Sequence, residues 1–182
     1  MGIAGPCARW QTAAVSWSMY AVPLHDLAMD GMAEWARSTS FSRGVPDQPP
    51  PPRPLPSVGV VLRAFRAAGC HGTPWFTVDA TGSAGQLEEC PDPSACPRTD
   101  GRDLGEVNLR AEDHADRDKP LSLDAAVRSL SFRKPDGTAV LAAMYALTPV
   151  AGAQLVYDDS ADEVFVVRPG ERAEDLVAEW PW

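Results

Sequence analysis

The twelve residues VPDQPPPPRPLP, Val45 to Pro56, hold seven of the chain's 18 prolines. Consecutive prolines lack the N–H that a helix or a strand ladder needs, and their fixed φ favours an extended polyproline II path. No helix interior or central strand can run through such a stretch. The run therefore predicts three parts in the 182-residue chain: an N-terminal segment 1–45, a Pro-rich linker 46–56 and one domain over 57–182. Arg53-Pro54-Leu55-Pro56 looks like part of a ligand for an aromatic-lined groove. The next proline such ligands need is replaced by Ser57-Val58-Gly59, so a semi-rigid spacer is the expected role.

Before the run, LHDLAMDGMAEWARS sets Leu24, Leu27, Ala28, Met32 and Trp35 on one helical face. The segment 1–45 is expected to be disordered or to form at most one short helix outside the main domain. Met19, Met29 and Met32 are each candidate start residues.

After the run the periodicity sharpens. Ser57 is placed to cap a helix to Ala68, with Val58, Val61, Leu62 and Phe65 inward and Gly69 as its stop. TPWFTVDA, 73–80, is rich in aromatic and β-branched residues and predicts a strand with Trp75 in the core, and QLEE is its expected partner. EVNLR, 106–110, alternates like a short strand. Ser122 is expected to cap a helix ending near Leu130, with Leu123, Ala126, Val127 and Leu130 on its apolar side. TAVLAAMYAL fits a helix through Val140, Leu141, Met144 and Leu147, ended by Thr148-Pro149, with a buried strand as the alternative. AQLVYDDSADEVFVV is the clearest hairpin: two β-rich arms around Asp158–Asp162. ERAEDLVAEW predicts a closing helix with acids in its first turn, where the dipole favours them. These elements predict an α+β fold, a mainly antiparallel sheet built from hairpins with helices on one face. A chain of this length builds a core that needs no disulfide or metal.

The formal net charge is −9. A nucleic-acid binder needs a basic face to displace counterions from phosphate, and the only basic grouping is Arg128, Arg133 and Lys134. Nucleic acid is excluded as a partner on that ground. No stretch approaches the length needed to span a bilayer, so no membrane partner is expected. WQTAAVSWSMYAV near the N-terminus is too polar for a secretory signal, which predicts a cytoplasmic location. Lys119 and Lys134 are the only lysines, an arginine bias that points to a GC-rich bacterial genome.

ECPDPSACP, 89–97, is the most chemically pointed stretch. Zinc sites usually hold close Cys pairs, two to four residues apart, and Cys90 and Cys96 are separated by five. A Cys₃His site from Cys70, Cys90, Cys96 and His114 would need three separate segments to converge. A reducing compartment disfavours a disulfide between Cys90 and Cys96. A proline-stiffened loop with two incidental thiols is the expected reading. There is no phosphate-cradling glycine loop, no GxSxG elbow and no HExxH. No catalytic residue and no cofactor is assigned.

Negative charge gathers in 79–118 and again in 158–179. The expectation is a non-catalytic protein-binding module, immunity-protein or antitoxin-like, that captures a basic protein partner by complementary charge. The partner-binding residues are expected to be Asp158, Asp159, Asp162 and Glu163. The alternative is a cysteine- and histidine-dependent enzyme or zinc-binding regulator built on Cys70, Cys90, Cys96 and His114.

Overall fold

The segment ahead of the proline run supplies the central strand of the sheet. A computed structural model describes residues 17–90, 102–112 and 119–182. In chain order the strands are β1 (Ser18–Pro23), β2 (Phe41–Arg43), β3 (His71–Pro74), β4 (Val78–Asp79), β5 (Asp103–Ala111), β6 (Leu121–Ser122), β7 (Val127–Arg133), β8 (Gln154–Asp158) and β9 (Glu163–Val167). The helices are α1 (Met32–Ser38), α2 (Val58–Ala67), α3 (Gly137–Ala151) and α4 (Ala173–Glu179). Seven strands form one sheet in the order β2-β9-β8-β1-β7-β5-β3, and β4 pairs with β6 apart from it. The sheet is antiparallel from β9 to β5, with a short parallel strand at each edge. This is an α+β architecture.

The expected boundary at residue 45 is corrected by β1. Met19 and Ala21 face one side and Tyr20 and Val22 the other. The strand pairs with β7 (Tyr20 opposite Ser131) and with β8 (Tyr20 opposite Tyr157). Both partners lie more than a hundred residues away, so no local pattern announces the strand. The single helix expected after it is also corrected. Leu24–Ala28 is a 3-10 turn, and Gly31, at φ 78°, breaks the path before α1. Glycine alone takes that conformation without steric cost.

The proline run is an ordered strap inside the domain. Arg37 Nη2 donates to Asp47 O at 2.9 Å at one end, and Val127 N donates to Pro56 O at 2.8 Å at the other. Ser57 then bridges to Ala126. An extended path of this length joins β2, on one sheet edge, to α2, whose first residues lie beside β7.

α2 follows the expected bounds and Gly69 stops it at φ 68°. The helix expected after Ser122 is instead β7. Leu130 and Phe132 point into the core while Ser129 and Ser131 alternate outward, a period of two that wins once β1 and β5 flank it. QLEE forms no strand, and β4 is only two residues long. α3 runs past Pro149 to Ala151. Proline cannot donate to the Tyr145 carbonyl four residues back, and Thr148 Oγ1 donates to that oxygen at 3.0 Å instead. Asp136 caps the helix start, its Oδ1 accepting from Thr138 N at 2.9 Å. The β8–β9 hairpin and α4 form as expected.

The two faces of the sheet differ. On one face α2, α3 and α4 bury Phe65, Met144, Leu147 and Leu176 against Met19, Leu109, Phe132, Val156 and Phe165. Trp180 and Trp182 close this layer, Trp180 Nε1 donating to Gly137 O at 3.1 Å. On the other face the 3-10 turn and α1 bury Leu24, Leu27 and Ala36 against Leu155, Val164 and Val166. That apolar cover reaches β8, β9 and Val22 of β1, and the outer side of β7 and β5 carries polar residues.

Candidate functional site

The acidic tip of the β8–β9 hairpin is built by its own backbone and hydroxyls. Ser160 Oγ donates to both carboxylate oxygens of Asp158, at 2.8 and 2.7 Å, and accepts from Asp162 N at 3.2 Å. Ala161 takes a left-handed φ of 57° to close the turn. Asp159 Oδ2 accepts from Ser18 N at 3.0 Å, which ties the tip to the start of β1. From the other side Trp35 Nε1 donates to Ala161 O at 3.2 Å, and Ser40 Oγ donates to Asp162 O at 2.8 Å. The tip is thereby held in one shape by three separate segments.

Its charge is less well served than its backbone. Among the described residues none of Asp158, Asp159, Asp162 and Glu163 forms an ion pair. Elsewhere acids do find arginines: Glu106 with Arg133 at 2.9 Å, Glu112 with Arg128 at 3.2 Å, and Glu171 and Glu179 with Arg43 at 2.7 and 2.6 Å. Burial pushes the Glu163 carboxyl above the usual range, and the charges of Asp158 and Asp162 push it the same way. A cation arriving at the tip would relieve that repulsion.

The open half of the second sheet face begins beside the tip. Tyr20, Ser131 and Asn108 stand in one cross-strand row, and Ser129 and Arg110 in the next. Tyr20 stacks on Tyr157 at 5.3 Å, and Trp35 meets Tyr157 edge-on at 5.2 Å. Burial raises the Tyr157 hydroxyl pKa, with Tyr20 and Asp26 adding to it. At the far rim Arg133 sits over Trp75, 5.9 Å from the ring centroid. Trp75, expected in the core, is 61% exposed. The alternation of EVNLR and RSLSFR carried the signal for this surface, but only together with the pairing of β5, β7 and β1.

Of the four Cys and His positions, the described residues include Cys70 and Cys90. Cys70 is fully buried in the main core and its Sγ donates to Ala139 O at 3.6 Å. Its neighbour His71 points elsewhere, with Nδ1 3.9 Å from Asp103. Cys90 is half-buried, and Cys96 and His114 lie outside the described residues. Among the described residues no three His, Cys, Asp or Glu side chains are grouped to hold a metal ion. No described helix is long and apolar enough to cross a membrane.

A smaller feature lies at the opposite end of β1. Asp26, in the 3-10 turn, is 5% exposed and meets Arg128 Nη2 at 3.5 Å. Arg128 is shared with Glu112, and the proline strap passes over the group.

No known family model, curated protein or solved structure matches this chain.

Proposed function

We propose that this protein is a non-catalytic protein-binding module of the immunity-protein or antitoxin type, acting in the bacterial cytoplasm, and that it captures a basic protein through Asp158, Asp159, Asp162 and Glu163. The observation that carries the reading is a backbone-locked turn bearing four carboxylates, none ion-paired among the described residues. A preformed tip of this kind loses little conformational freedom on binding, and its field speeds encounter with a positive surface. The overall charge of −9 acts in the same direction and repels nucleic acid.

The test is affinity capture from the native host on the full chain and on a quadruple variant, Asp158→Asn, Asp159→Asn, Asp162→Asn and Glu163→Gln. Each amide keeps one acceptor oxygen, for Ser18 N at position 159 and for Ser160 Oγ at position 158, while removing the charge. The wild type is expected to retain a basic protein in stoichiometric amount, with an association rate that falls as salt rises. The variant is expected to lose about 100-fold or more in association rate at low salt. Equal retention by both chains would overturn the reading.

A further inference from the structure

The turn of the β8–β9 hairpin is built on a residue that does not favour its own conformation. Ala161 stands at φ 57°, in the left-handed region where glycine or asparagine is the usual occupant of a tight turn. A residue with a side chain keeps that conformation only where its surroundings over-determine it, and such positions gather at functional sites. Here the surroundings are two side chains from the stretch that joins α1 to β2. Trp35 Nε1 donates to Ala161 O at 3.2 Å, and Ser40 Oγ donates to the next carbonyl, Asp162 O, at 2.8 Å. Phe41 N donates to that same oxygen at 3.1 Å. Trp35 is fixed in its turn: its ring meets Tyr157 edge-on at 5.2 Å, and its neighbour Ala36 is fully buried. The acids on either side follow the backbone of Ala161, whose N–H donates to Asp158 O at 3.1 Å and whose carbonyl leads into Asp162 and Glu163. Burial first, then the charges of Asp158 and Asp162, push the Glu163 carboxyl up. The turn therefore crowds like charges that a relaxed loop would let spread.

We propose that Trp35 and Ser40 are positioning residues of the acidic tip. They hold Ala161 left-handed and so set Asp158, Asp162 and Glu163 in the one arrangement that a basic surface meets. Neither carries charge, so both act through the carboxylates. The proposal rests on the reading of the tip as the site for a basic partner and deepens it: one segment supplies the charge and a distant one supplies its shape. Charge governs encounter, and shape governs the fraction of molecules competent to bind.

The test uses the full chain with Trp35→Phe, which keeps a ring against Tyr157 and loses the N–H, and separately with Ser40→Ala, at the surface. A thermal melt checks that each variant folds. In both, ¹⁵N order parameters at 159–162 are expected to fall from about 0.85 to about 0.6 or below. The Glu163 carboxyl, followed by its ¹³C shift, is expected to titrate at a lower pH than in the wild type as its neighbours spread. The probe for binding is a hexa-arginine peptide. Trp35→Phe is expected to raise its dissociation constant about five-fold, with the salt dependence unchanged because the charge is intact. Adding Ala161→Asn to Trp35→Phe is expected to restore both order and affinity, since asparagine takes the left-handed region more readily than alanine. Unchanged order parameters at 159–162 in a folded Trp35→Phe chain would overturn the proposal, and so would a loosened tip that binds the peptide with wild-type affinity. Wild-type affinity in the quadruple tip variant would overturn the tip reading instead, and the order parameters would still report on the brace.

Discussion

One face of the sheet is closed by α2, α3 and α4, and the other is closed over β8, β9 and the end of β1. The closed face is apolar and holds Phe65, Phe132 and Phe165 with no exposure. The open half carries Ser129, Ser131, Asn108 and Arg110, and its rim carries Trp75. Antiparallel sheets tolerate one solvated face, so openness alone needs no partner. The difference shows where stability and contact are separated. The closed face fixes the strands. The open face and the acidic tip are then free to carry residues that contribute little to folding.

That separation can be broken or sharpened by substitution. Phe132→Ala empties a fully buried ring site that packs on Phe65 at 6.1 Å. It is expected to lower unfolding free energy by about 3–5 kcal/mol in urea melts. Thr148→Val keeps the shape but leaves the Tyr145 carbonyl without the hydroxyl that replaces Pro149's missing N–H. A loss of about 1–2 kcal/mol is expected. Asn108→Ala on the open face is expected to change stability by no more than about 0.5 kcal/mol. A loss as large as that of Thr148→Val would mean that the open face takes part in folding.

The smallest effect is at Glu163. Its folded pKa lies above its unfolded value, so the folded state takes up the proton first as pH falls. The associated stabilisation is full below the unfolded pKa and is lost as pH rises through the folded one. Glu163→Gln is therefore expected to melt slightly higher than wild type at pH 7 and to match it near pH 3. A variant that melts lower at pH 7 would show that the Glu163 charge is held favourably, against the crowding described above.

The elements legible in the sequence are those whose partners are near in the chain. The β8–β9 hairpin is local, with Gln154 facing Val167 across a short turn. α2 carries both its apolar face and its terminating Gly69. β1 was illegible because SMYAVP is short and takes its register from β7 and β8, far along the chain. β7 departs from the expected helix because Leu123, Ala126, Val127 and Leu130 mimic a helical face, and tertiary pairing overrides that spacing. The charge of the tip could be read from Asp158, Asp159, Asp162 and Glu163 directly. Its bracing by Ser18, Trp35 and Ser40 could not, because those residues belong to the segment expected outside the domain. Asp26 lies in the same segment, and its burial depends on the 3-10 turn folding back beside β7.

The central claim is the proposal that a basic protein meets this one at the hairpin tip. Hydrogen–deuterium exchange of the chain, alone and with the basic protein captured on it, tests this most directly. The account predicts new protection at 158–163, with α2 and α3 unchanged. Protection on the outer surfaces of α2 and α3, with the tip exchanging as in the free chain, would contradict it.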